Sequence, residues 1–190
     1  VFYTEVGTFT TSFGTWNTMF DKLNDDYSSA AFDQFKNNRY TIAQRLQVRE
    51  FTGNGAYANR YENQLNVIDD STGFPIGFSN KHQEVLTHAF IAAYSGKNAS
   101  TSSLNPFKNL PIPNWRISYN GLTKLDIFKE IFSNISISHG YSSTLNISSF
   151  QQPPLYGIDS LERGSNLETE YRFNSGISII ERLTPLIGID

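Results

Sequence analysis

Ile135-Ser136-Ile137-Ser138-His139-Gly140-Tyr141-Ser142-Ser143-Thr144-Leu145-Asn146-Ile147-Ser148 alternates without a break. Successive side chains of a strand point to opposite faces, so the odd positions form one side and the even positions the other. The odd side is mainly aliphatic and aromatic. The even side is wholly small, polar and uncharged. A soluble sheet usually carries Lys, Glu or Arg on its wet face, whereas small neutral residues suit a confined, hydrated interior. Fourteen residues at ~3.3 Å each span ~46 Å. Tilted by ~40°, such a strand crosses the ~25 Å apolar band of an outer-membrane barrel with some overhang. On this reading Ser136, Ser138, Ser142, Thr144 and Asn146 face a pore, and Ile135, Ile137, Tyr141, Leu145 and Ile147 face lipid.

A second strand is expected from about Tyr171 to Ile179, with Tyr171, Phe173, Ile177 and Ile179 on one side. Between the two strands lies a polar connection of about twenty residues carrying Pro153, Pro154, Gly157 and Gly164, and a short turn is expected at 181–185. One long connection and one short turn match the two ends of a transmembrane barrel. Lipid-exposed backbone must be fully paired, which among sheets only a closed barrel achieves. Alternation alone leaves a soluble β-sandwich open, because barrel signals are weak per segment.

The rest of the composition fits a β-rich chain. Ser, Thr and Asn fill 54 of 190 positions, and ten Tyr and fifteen Phe bring aromatics to 14%. Charged residues are only 17%, so the polarity is mostly uncharged. A net charge of −3 with 15 basic residues excludes a nucleic-acid binder that works by neutralising phosphates. No run of eighteen apolar residues could form a membrane-spanning helix. With no cysteine there are no disulfides, thiolate catalysis, zinc ribbons or iron–sulfur sites. The chain begins at Val1 and ends in what reads as the opening of another strand, so it is expected to be a piece of a longer protein.

Outward from the strands, the segment 1–27 reads as a strand to Thr15 and a short helix over Trp16–Leu23. Residues 28–113 read as a helical and loop insertion. Its helices are a long one over about 29–48, with Phe32, Phe35, Ile42 and Leu46 along one stripe, and another over about 81–94. Asn80 and Gln83 suggest a capping box for the second helix, and Gly96 a stop. Residues 50–78 read as one long loop. Residues 114–190 hold the barrel strands, the first at Trp115–Tyr119, with an amphipathic helix at about 122–133 that turns Leu125 and Phe128 inward.

No arrangement of reactive residues points to an enzyme. Asp25-Asp26 and Asp69-Asp70 are adjacent and diverge on any regular element, as loop solvation requires and an acid/base pair does not. His82 and His88 share no helical face well enough to hold a metal. His139 and Ser142 point to opposite strand faces, and no nucleophile elbow is present. Gly53-x-Gly55 lacks the flanking strand and helix of a phosphate loop. No cofactor is expected.

Five motifs in order carry a resemblance: Phe32-x-x-Phe35-x-x-Asn38-Arg39-x-x-Ile42-Ala43-x-Arg45-Leu46; Gln83-Glu84-Val85-Leu86-x-x-Ala89-Phe90-x-Ala92-Ala93-Tyr94; Pro111-x-Pro113-Asn114-Trp115-Arg116-Ile117-x-Tyr119-x-Gly121-Leu122; Ser138-His139-Gly140-Tyr141-x-Ser143; and Pro185-Leu186-Ile187-Gly188-Ile189-Asp190. Together they resemble the SprA/Sov family, the giant outer-membrane translocon of the type 9 secretion system of Bacteroidota, linked in gliding bacteria to surface adhesin export. The resemblance spans about residues 28–190. It implies a mixed α and β chain: one segment of an antiparallel outer-membrane β-barrel with helical insertions, around a protein-conducting pore. The implied partners are secreted polypeptide cargo, an outer-membrane shuttle protein, a plug protein and the lipid bilayer. The family has no catalytic residues to carry over. The rival readings are a segment of another outer-membrane barrel transporter and a soluble α+β module that binds carbohydrate or protein.

Overall fold

The computed structural model describes the chain except residues 1–4, 16, 17, 19, 54–56, 108–110, 131–134, 153–169, 174, 175, 185–187 and 190. The fold is mixed α and β, and every strand pair whose register is resolved runs antiparallel. The described strands do not close into a barrel. Two compact units share the chain. The first is 1–9, 15–109 and 147–177, and the second is 10–14, 110–146 and 178–190.

Helices build the first unit. α1 (Ala30–Phe51) and α3 (Gln83–Tyr94) pack through Ile42, Ala43, Leu46, Val85 and Ala89, all fully buried. Alanines at this seam let the two backbones approach, and Phe51, Phe78 and Tyr57 close its end. α3 stops where expected. Gly96 takes φ 65°, a left-handed conformation that costs glycine nothing, and the Lys97 amide returns to the Ala92 carbonyl at 3.0 Å. Its start differs from expectation. The N-cap is His82, which makes no side-chain cap bond, and Gln83 reaches instead to the Phe173 carbonyl. The stripe on α1 is also displaced. Phe32 is exposed, while polar Asn38, Gln47 and Glu50 are buried.

The segment expected as a long loop is ordered by one of those polar residues. It holds α2 (Ala58–Tyr61), a 3-10 turn at Glu62–Gln64, and a small hairpin of β2 (Ile68–Asp69) and β3 (Phe74–Pro75). The Gln47 amide, 1% exposed, donates to the carbonyls of Gln64, Val67 and Ile76 at 3.2–3.3 Å and accepts the Asn66 amide at 2.9 Å. One side chain thereby bridges four backbone groups of the segment, adding to the Val67 and Ile76 amides that already meet the Gln64 and Val67 carbonyls.

The helix expected over Trp16–Leu23 does not form among the described residues. Thr18 and Asp21 close successive turns, and Phe20 and Leu23 are exposed with no apolar partner to hold a helical face. Trp16 and Met19 lie outside the described residues.

The second unit is built on a strand. β4 (Trp115–Tyr119) pairs with β5 (Ile135–Gln151) in the register Trp115↔Tyr141, Ile117↔His139 and Tyr119↔Ile137. β1 (Val6–Ser12), β6 (Arg172–Phe173), β7 (Ile177–Thr184) and β8 (Gly188–Ile189) also pair with β5. β5 belongs to the second unit up to Asn146 and to the first from Ile147. Two expectations are corrected here. Residues 181–184 are strand rather than turn, because β7 continues along β5, where Thr184 Oγ1 donates to the Gly140 carbonyl at 3.0 Å. The strand expected over 171–179 is two, β6 and β7, and Gly176 takes φ 80° between them. Of the amphipathic helix expected at 122–133, the described residues hold a 3-10 turn at Leu122–Lys124 and one turn of α4 (Asp126–Lys129), and 131–133 lie outside them. Leu125 and Ile127 stay exposed, so no buried face extends it. The connection with Pro153, Pro154, Gly157 and Gly164 lies outside the described residues.

Removing the Gln47 amide takes a partner from the Ile76 carbonyl and the Asn66 amide, while the Gln64 and Val67 carbonyls keep the Val67 and Ile76 amides. Gln47→Ala should lower the unfolding free energy by about 2 kcal/mol in a denaturant titration, with the hairpin the first region to lose protection from hydrogen exchange.

Candidate functional site

Residues opposite one another in an antiparallel pair share a face. The β4–β5 register therefore places Trp115, Ile117 and Tyr119 on the side of Tyr141, His139 and Ile137, and Arg116 and Ser118 on the side of Gly140 and Ser138. The apolar positions of the two strands coincide, which is how a hydrophobic pattern selects a register. The small polar side carries Ser136, Ser138, Ser142, Thr144 and Asn146, all half-buried. Asn146 Oδ1 accepts the Thr10 hydroxyl at 3.1 Å. This side gains charge that the alternation within β5 did not foretell, in the exposed Arg116 opposite Gly140. Gly140 itself is required by close approach, since Thr184 Oγ1 occupies the space a Cβ would need.

The apolar side is open at one end and covered at the other. Ile117 and Tyr119 are 63% and 55% exposed, and Ile137 and His139 are half-buried. Of the residues expected to face lipid, Ile135, Tyr141, Leu145 and Ile147 are buried by the chain itself, so these four offer no surface to a bilayer in this structure. At Tyr141 the covering is visible. The Trp115 ring lies 4.8 Å away, and the hydroxyl donates to Glu181 Oε1 at 2.8 Å. β5 is held at Ser143 as well, whose amide donates to Asn114 Oδ1 at 3.0 Å and whose carbonyl accepts the Phe13 amide at 3.3 Å.

A second constellation, in the first unit, went unread in the sequence. The Arg49 guanidinium meets three carboxylates: Glu50 at 2.6 Å, Glu84 at 3.2 Å and Glu170 at 3.4 Å. Glu50 and Glu84 are buried. Burial pushes the Glu84 carboxyl up to about 7 against the opposing pull of Arg49, and burial raises Glu170 as well. His88, one helical turn beyond Glu84, is buried too. Desolvation, with Arg49 and Arg45 nearby, pushes it down to about 3, so the ring is neutral. Arg45 donates to the Ala99 carbonyl at 2.6 Å. The local signal Arg49 carries is its place in the last turn of α1, where a cation suits the helix dipole. Glu170 is 86 positions from Glu84, so no local spacing could join them.

Beside this cluster lies an apolar groove of about 250 Å3 lined by Phe35, Leu86, Phe90, Phe173 and Ile177, with Gln83 at its rim. No group of His, Asp and Glu residues among those described could hold a metal ion. No helix of the described residues is long and apolar enough to cross a membrane. No protein-family model and no curated protein matches the chain.

Arg49→Leu leaves two buried carboxylates and Glu170 without their shared cation. At pH 7.5 it should cost about 3–5 kcal/mol of unfolding free energy, read from a denaturant midpoint. A loss under 1 kcal/mol would mean that the carboxylates find other partners.

Proposed function

We propose that this chain is a structural segment of an outer-membrane protein-conducting channel of the type 9 secretion kind, which exports polypeptides to the cell surface. The ordered motifs of the SprA/Sov resemblance supply the class. The structural observation that supports it is the segregation across β4 and β5: small polar residues on one side, and on the other an apolar side left open at Ile117 and Tyr119. β5 is 17 residues long, or ~56 Å, well beyond the usual length of a globular strand. In this reading the strands belong to a barrel that closes only with strands outside this chain, and lipid meets the apolar side at Ile117 and Tyr119. Helices α1 and α3 belong to an insertion.

The mechanism is a path rather than a reaction. Ser136, Ser138, Ser142, Thr144 and Asn146 form a hydrated wall whose short side chains offer passing cargo few strong attachments. Arg116 at its edge repels cationic segments and slows anionic ones. The partners are the cargo chain, an outer-membrane shuttle and a plug, and no cofactor is needed.

Burial of Ile135, Tyr141, Leu145 and Ile147 favours one second reading, a soluble α+β binding module. Its signature is a folded chain that stays monodisperse in water without detergent.

Export by cells that carry the whole protein is the test. Ser138→Leu, Ser142→Leu and Thr144→Leu together should reduce surface delivery of cargo at least several-fold while the protein still reaches the outer membrane. Undiminished export in the triple variant would sink the pore-wall assignment.

A further inference from the structure

Residues Glu170–Phe173 lie along the start of α3 as a strap; β6 within it pairs with β5 at Phe150 and Gln151, and its attachments to the helices are separate from that pairing. The Glu170 amide donates to Glu84 Oε1 at 3.3 Å, and its carboxylate meets Arg49 Nη1 at 3.4 Å. Gln83 Nε2 donates to the Phe173 carbonyl at 3.0 Å, and the Phe173 ring is buried as one wall of the apolar groove. Glu84 is the junction, because the same oxygen that takes the strap amide also takes Arg49 Nη2 at 3.2 Å.

We propose that Glu84 and Glu170, sharing Arg49, form a proton-dependent latch that holds residues 170–173 on the helix pair and releases them when the carboxylates ionise. The inference stands on the first unit alone and does not rest on the channel reading.

The charged and titratable groups facing the junction come from every element around it. α1 contributes Arg49, Glu50 and Arg45, and α3 contributes Glu84 and His88. The strap contributes Glu170 and Tyr171, and Glu5 before β1 accepts the Tyr171 hydroxyl at 2.9 Å. Fully ionised, Glu50, Glu84 and Glu170 set three negative charges against the Arg49 guanidinium. His88 adds no charge, and Arg45 is turned to the Ala99 carbonyl. A proton on Glu84 relieves this imbalance, and the neutral carboxyl still accepts the strap amide.

The sign follows from burial. With the strap in place burial holds Glu84 up to about 7; lifting the strap admits water to the carboxyl and brings it down toward the ordinary carboxylate range. Between those values the latched state binds a proton that the open state does not, so the latch is tightest at low pH and weakens as pH rises through about 7. Glu170, also raised by burial, acts in the same direction. Opening would bare the groove at Phe35, Leu86 and Phe90.

The absence of cysteine makes a spin-label test clean. In the full chain, labels at Arg172→Cys and Gln44→Cys report strap to helix, and labels at Gln44→Cys and Lys97→Cys report helix to helix. Electron–electron distance measurements should give one strap distance at pH 6. At pH 8.5 a longer population should appear, with the open-to-closed ratio raised roughly tenfold or more. The helix pair should not change. Glu84→Gln should keep the strap closed at both pH values. If that variant fails to fold, Glu170→Gln should at least halve the pH response. Identical strap distances at both pH values, a helix pair that shifts with the strap, or an unaltered response in the variants would each overturn the latch.

Discussion

The backbone of β5 sets the frame. The seventeen residues of β5, extended but for Ser149 at φ 51°, present N–H and C=O groups on both edges, and each buried group must find a partner. Five other strands supply those partners, so the chain returns to β5 from both of its ends. Where backbone cannot serve, a side chain does. Asn114 caps the Ser143 amide, and Thr184 reaches the Gly140 carbonyl. The alternation of β5 then decides which residues of β4 lie on the apolar side, because a shift of one position would turn Trp115 and Tyr119 onto the side of Gly140 and Ser138.

The helical unit meets the same constraint differently. Its apolar seam is ordinary close packing, but the polar groups buried at the seam's border are what make the arrangement specific. Gln47 turns an irregular stretch of chain into a fixed hairpin by answering four backbone groups at once. Arg49 gathers three carboxylates from three parts of the chain. Buried charge of this kind contributes little net stability against an apolar replacement and is costly when broken, so it selects one docking over others rather than deepening the fold.

Legibility followed the range of the interactions. β4 stands at Trp115–Tyr119 as read, and β5 extends three residues beyond Ser148, because period-2 alternation is written in adjacent residues. α3 and its Gly96 stop were legible for the same reason, being governed by neighbours within two turns. Short apolar patterns misled. Phe20, Leu23 and Leu125, which carry the helical spacing among the described residues, are exposed, and periodicity without a partner does not hold a helix. The turn expected at 181–185 gave way to strand because pairing with β5 outweighs local turn chemistry.

The sequence by itself determined the mixed α and β class, the side-to-side division of β5, and the places where α1, α3 and β4 form. These depend on covalent geometry and on periods of 2 and 3.6 residues, which any chain carries locally. Only the tertiary structure decided that Ile135, Tyr141, Leu145 and Ile147 are covered while Ile117 and Tyr119 are open, and that Glu170 meets Arg49 and Glu84. Coverage and charge convergence arise between residues tens of positions apart. Burial then shifts Glu84 toward neutrality, a property of its surroundings rather than of its place in the chain.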